Sequence, residues 1–149
     1  MPKPVQISQP LRQWVEATTH RSMRDQSRYA KSTGLSMPQF SILMQLHYRG
    51  HCGIGDISER FDITNAAASQ LVEKLFQSGL LDRAEDPNDR RAKQVTLSAK
   101  GRELIDKSID ERFRWVDELV INLKGEEREK VKEALEILTV AAQKLDQQK

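Results

Sequence analysis

The side chains best suited to bind a polyanion are two adjacent arginines, Arg90 and Arg91, which follow a run of turn-forming residues. A guanidinium group is permanently charged and donates several hydrogen bonds, so it binds phosphate oxygens and fits a narrow, electronegative minor groove of DNA. The neighbouring Asp89 can hold the Arg91 guanidinium in position through a charge-assisted hydrogen bond. These residues therefore favour nucleic-acid binding, and the alternative is that they form only a soluble turn.

A second candidate is the polar face of a helix predicted from Asn65 to Ser78, with Thr64 as its N-cap. Apolar residues at helical spacing define the buried face of this helix: Ala68, Leu71, Val72 and Leu75. The outward Asn65 and Gln70 can pair with adenine, and Ala66 can touch a thymine methyl group, which suits A·T-containing DNA. An ordinary solvated helix face is the alternative.

The segment after this helix predicts a β-hairpin. Leu80 to Glu85 leads into the turn, and Lys93 to Leu97 alternates polar and apolar residues as a half-buried strand does. A helix followed by a basic-tipped hairpin is typical of a winged helix-turn-helix, whose helix enters the major groove while the hairpin reaches the backbone or minor groove. The residues that we expect to contact DNA are Thr64, Asn65, Ala66, Ala67, Ser69, Gln70, Lys74, Asp89, Arg90, Arg91 and Lys93.

The hairpin residues resemble the signature of the multiple antibiotic resistance regulator (MarR) family. The matching residues are Asp89, Arg91, Val95, Leu97, Ser98 and Gly101. The helix order extends the resemblance from about Leu11 to Leu145. It implies a homodimer that binds a pseudopalindromic DNA operator, acting as a repressor whose affinity for DNA falls when a ligand binds. Gln70 stands where the family often has a basic residue, and Ala66, Ala67 and Ala68 replace more polar residues, so the resemblance fixes the fold but not the operator sequence.

The remaining elements predict a mainly α fold. A long first helix ends before Gly34, a capping box of Ser36 and Gln39 opens the next helix, and Asp56 with Glu59 suggests another box. We assign residues 36–101 to the winged helix-turn-helix with its two-stranded hairpin. We treat residues 1–149 as one chain of this fold. The apolar stripes of residues 5–34 and 102–147 exceed what a small core can cover, so we expect these helices to pack against those of a second copy in a homodimer.

The family resemblance also implies a pocket for a small phenolic or lipophilic effector near the first helix. Its expected lining residues are Trp14, His20, Phe40 and Met44. The alternative is that these side chains belong simply to the core, since aromatic residues and methionine at helical spacing usually do.

His47, His51 and Cys52 are possible metal ligands. Gly50 breaks the helical alignment of the two histidines, and the cluster contains no carboxylate, so we predict neither a metal nor a cofactor. Cys52 could instead be a redox sensor beside Arg49. Redox sensors of the family place their cysteine in the first helix, which favours a structural role for Cys52.

Composition sets broad limits. The chain has 149 residues, a formal net charge of +2 and one cysteine, and it contains no apolar run of membrane-span length. We expect a cytoplasmic location, no membrane partner and, since motifs for nucleotide binding and hydrolysis are missing, no enzyme activity. A winged helix that mediates only protein interaction or dimerisation, without DNA, is the alternative function, and the basic hairpin argues against it.

Overall fold

A computed structural model describes residues 1, 3–85 and 93–147 of the chain, with the exception of the Lys93 side chain. These residues form α-helices and a small antiparallel sheet whose strands lie in the order β1-β3-β2. The elements are α1 (Pro4–Ser32), α2 (Met37–Arg49), β1 (Cys52–Gly53), α3 (Ile54–Phe61), α4 (Asn65–Gln77), β2 (Leu81–Glu85), β3 (Lys93–Leu97), α5 (Ala99–Asn122) and α6 (Gly125–Asp146). This arrangement confirms the predicted mainly α fold with a hairpin wing, the wing being β2 and β3.

The predicted caps of α2 and α4 are confirmed. The Ser36 hydroxyl accepts a hydrogen bond from the Gln39 amide at 3.3 Å, and the Ser36 amide donates to the Gln39 side-chain oxygen at 2.9 Å. The Thr64 hydroxyl accepts from the Ala67 amide at 3.1 Å. These bonds satisfy amide groups that a helix leaves without partners in its first turn.

The sequence prediction was wrong about the start of α3 and incomplete about the sheet. Asp56 does not precede α3 but lies in its first turn, where its carboxylate accepts from the Gly53 amide at 2.8 Å. Gly53 is therefore the cap, and the helix begins at Ile54. Cys52 and Gly53 add a third strand, in register with Val95 and Gln94 of β3. Two residues are too few to show a strand's alternation, so the sequence carried no periodic signal for β1.

The chain divides into two compact units, Met1–Arg112 and Phe113–Lys149. The first unit holds the core, which joins α2, α3 and α4 to the sheet. Its fully buried large side chains include Ile42, Leu43, Leu46, Ile57, Leu75 and Ile105. Close packing of these branched side chains fixes the orientation of α4, because Ala68, Val72 and Leu75 must face inward.

The second unit contains the end of α5 and all of α6. The Arg128 side chain donates to the backbone carbonyl groups of Leu123 and Ile121 at 3.0 and 3.2 Å, which ties the turn between the two helices. Every described residue of α6 is exposed, including the apolar Val131, Leu135 and Leu138.

Candidate nucleic-acid interface

The exposed face of α4 carries most of the residues that the sequence analysis selected. Asn65, Ala66, Ser69 and Gln70 are exposed, as is the N-cap Thr64. Ala67 is half-buried and Lys74 is exposed nearer the end of the helix. Because Thr64 caps the helix and its opposite side is buried, the polar side chains of its first two turns face solvent.

The wing follows α4 directly. Leu81 pairs with Leu97, and Arg83 pairs with Val95, so these four residues share one face of the two strands. Leu81, Val95 and Leu97 are buried, which makes this the inner face. The predicted contact residues Asp89, Arg90 and Arg91 lie outside the described residues, as does the side chain of Lys93, whose backbone begins β3.

Ser98 joins the end of α4, the wing and the start of α5. Its hydroxyl donates to the Gly79 carbonyl at 2.7 Å and accepts from the Gly101 amide at 3.0 Å. Its own amide donates to the Leu80 carbonyl at 3.1 Å. The Lys100 ammonium adds a bond to the Ser78 carbonyl at 2.9 Å, at the C-terminal end of α4. The serine of the predicted signature thus fixes the wing relative to α4.

Gly101 is required by a close approach between two backbones. A Cβ atom at this position would overlap with the Leu80 carbonyl oxygen and would lie 3.3 Å from the Leu97 side chain. The signature glycine therefore allows α5 to begin directly against the first residues of the wing.

Arg83 is a charged residue of this region that the sequence analysis did not select. Its guanidinium lies 3.2 Å from the Glu73 carboxylate and 4.7 Å from the centre of the Phe76 ring. Both partners belong to α4. The sequence did contain a signal for its position. Arg83 follows Leu81 by two residues, so strand alternation places both side chains on the inner face.

The four predicted effector residues lie in different environments. Phe40 is buried in the core, and Met44 packs beside it, with its sulfur 3.9 Å from the Gln26 amide nitrogen. Trp14 and His20 are exposed on α1, and His20 lines a surface groove. Phe40 has the core role that the alternative interpretation gave it.

Cys52 is buried, and burial, together with the nearby Asp56 carboxylate, raises the pKa of its thiol to about 11 despite the opposing effect of Arg49. The thiol is therefore protonated at neutral pH and a poor nucleophile. His47 lies beside α5, with its Nδ1 atom 4.0 Å from an Asp106 oxygen. Over the described parts of the chain, no three His, Cys, Asp or Glu residues form a group that could hold a metal ion.

Among the residues that the structure describes, none of the helices combines the length and the apolar character that a membrane span requires.

Comparisons with known proteins point to one family. Residues 35–93 match the model of the MarR family. The uncharacterized HTH-type transcriptional regulator YdgJ of Bacillus subtilis is 29% identical over 101 residues, which are 68% of this chain and 62% of YdgJ. The chain thus spans less than two thirds of this relative's length.

Solved structures share the fold of this chain. The transcriptional regulator Tm0710 from Thermotoga maritima superposes with a TM-score of 0.80 at 25% identity, covering 91% of this chain and 96% of Tm0710. The Staphylococcus aureus MepR–DNA complex has a TM-score of 0.59 at 22% identity, covering 86% of this chain and 96% of MepR, and shows the same fold. Residues 35–93 therefore resemble the MarR family, and the chain shares its fold with the transcriptional regulator Tm0710 over nearly its whole length.

Proposed function

We propose that this protein is a sequence-specific DNA-binding regulator that reads an operator with α4 and the wing. The observation that carries the proposal is the polar, exposed face of α4 at its capped N-terminal end, next to the wing. In a winged helix-turn-helix, the N-terminal residues of this helix reach the base edges in the major groove. The fold shared with MepR, which has been solved bound to DNA, supports this orientation.

The side chains divide into two roles. Asn65 and Gln70 have amides that can pair with adenine, so they would select bases, whereas Lys74, nearer the end of the helix, suits a phosphate contact. In the wing, Arg90 and Arg91 supply charge to the backbone or the minor groove. Sequence choice therefore resides in α4, and a large part of the general affinity resides in the wing.

A homodimer is part of this proposal. Large apolar side chains are exposed on three helices: Val5, Ile7, Trp14, Val15 and Met23 of α1, Phe113, Leu119, Val120 and Ile121 of α5, and Val131, Leu135, Ile137, Leu138, Val140 and Leu145 of α6. Apolar exposure of this extent marks an interface, and a two-fold axis would cover the same surface on both copies. Two-fold symmetry then presents two copies of α4 to a pseudopalindromic site.

Regulation by a small effector is also proposed, in line with the family resemblance. The apolar groove along α1, which includes Leu11, Val15, Met23 and His20, and the nearby exposed Trp14 offer a surface for a phenolic or lipophilic ligand. Suppose that the ligand binds best to a dimer geometry that does not fit the operator. By linkage, the ligand then weakens DNA binding by the same factor by which DNA weakens ligand binding. The protein would then act as a repressor that the ligand releases.

Selection from a library of randomised DNA duplexes, followed by mobility-shift assays, tests the proposal. We expect enrichment of a pseudopalindrome whose half-sites lie about 10 bp apart. The two copies of α4 would enter the major groove on the same face of the duplex, one helical turn apart. Gln70→Ala should relax the preference at one base pair in each half-site and leave the other positions unchanged. A library that shows no enrichment over repeated rounds at moderate salt would contradict sequence-specific binding.

A further inference from the structure

Arg83 occupies an unusual position in the wing. It follows Leu81 on the inner face of β2 and lies opposite the buried Val95 of β3. An apolar residue would be expected at such a position. The Arg83 side chain is nevertheless more than half exposed, because it leaves the core and turns towards α4.

Two residues of α4 hold the Arg83 guanidinium. Glu73 accepts a hydrogen bond from it at 3.2 Å, and the Phe76 ring lies below it, with 4.7 Å between the guanidinium carbon and the ring centre. Phe76 itself packs against the hydrophobic core. Glu73 and Phe76 are three residues apart, so they are neighbours on the helix surface, and a planar guanidinium can engage both together. The base of the wing is thereby attached to α4.

Glu73 lies on the same face of α4 as the proposed base-reading residues. It follows Ser69 by four residues and Gln70 by three, and all three side chains are exposed. A free carboxylate on this face would repel DNA phosphates as the helix entered the groove. The Arg83 guanidinium neutralises that charge from the side of the wing.

We propose that Arg83 is a positioning residue for DNA recognition, which neutralises Glu73 on the reading face of α4 and fixes the base of the wing against Phe76. This inference rests on the proposed function, since its effect is exerted on DNA binding. A direct bond from Arg83 to a phosphate is the competing explanation, and it leaves no role for Glu73.

The two explanations differ in what happens when Glu73 is also changed. Arg83→Ala should lower affinity for the selected operator by roughly five- to tenfold, because two unneutralised carboxylates per dimer then face the phosphates. Adding Glu73→Gln should restore affinity to within about twofold of Glu73→Gln alone, as expected for coupled residues. The operator affinity of Arg83→Lys should lie between those of the wild type and Arg83→Ala, because lysine supplies the charge without the planar contact to Phe76.

The melting temperature serves as the structural control. The pair is about half exposed, with 58% and 53% of the two side chains accessible, and such pairs contribute little to folding stability. Arg83→Ala should therefore melt within a few degrees of the wild type. Lys144→Ala, which removes one positive charge from the exposed part of α6, should leave operator affinity unchanged.

The inference is overturned if Glu73→Gln fails to rescue Arg83→Ala while the wild type binds the operator. A double variant with a flatter salt dependence than the wild type would also overturn it, because that result indicates a lost phosphate contact. An unchanged affinity of Arg83→Ala would do the same. If the wild type binds no selected DNA, the proposed function itself fails, and this inference fails with it.

Discussion

Leu135→Asp is expected to leave the protein monomeric at micromolar concentration. Leu135 is 46% exposed in the single chain and shares an apolar groove of the second unit with Val120, Val131 and Val140. Burying a carboxylate in an apolar interface costs several kcal/mol unless it finds a partner, and a two-fold axis imposes this cost twice. The dissociation constant of the dimer should rise by more than about 100-fold, which corresponds to roughly 3 kcal/mol.

Operator binding should weaken together with dimerisation, by at least about tenfold, because a monomer engages one half-site at a time. Sedimentation and mobility shifts on the same samples measure both effects. Lys107→Asp places the same residue on the exposed surface of α5 in the first unit, away from the apolar side chains of the proposed interface, and should change neither. A Leu135→Asp protein that remains dimeric would show that α6 lies outside the interface.

Gly101→Ala should destabilise the first unit by about 3 kcal/mol, at the upper end of what overpacking usually costs. The added Cβ would overlap with the Leu80 carbonyl oxygen. That oxygen cannot move away freely, because it accepts a hydrogen bond from the Ser98 amide at 3.1 Å. We expect the melting temperature to fall on the order of 10 °C.

Gly55→Ala provides the matched control. Gly55 lies in α3 of the same unit, and a Cβ atom there would meet nothing within 4 Å. Because alanine stabilises a helix relative to glycine by up to about 1 kcal/mol, this variant should melt at or above the wild-type temperature. Equal melting of Gly101→Ala and the wild type would mean that α5 and Leu80 do not approach as closely as described.

The elements with strong local signals could be predicted from the sequence. The cap residues Ser36 and Thr64 were identified because their side chains bond within four residues of chain, and a local pattern records such bonds. The buried face of α4 was identified because Ala68, Val72 and Leu75 recur at helical spacing.

Features that depend on distant residues could not be predicted in this way. β1 exists because Cys52 pairs with Val95, 43 residues further along the chain, and a two-residue strand has no periodicity. The attachment of Arg83 to Glu73 likewise depends on how β2 lies beside α4. The sequence places Arg83 on the inner face, but only the packing of the core shows which helix its side chain meets.

The most direct test of DNA recognition by α4 and the wing is a salt titration of operator binding by the wild type and by Arg91→Ala. A guanidinium that binds the DNA backbone or minor groove releases counterions, so its loss should lower affinity by about 1–3 kcal/mol and reduce the salt slope by about one for each subunit. Lys144→Ala, which removes a charge from α6, should retain the wild-type slope. We expect a weaker and flatter titration for Arg91→Ala, and equal affinities and slopes for Arg91→Ala and the wild type would contradict DNA recognition by α4 and the wing.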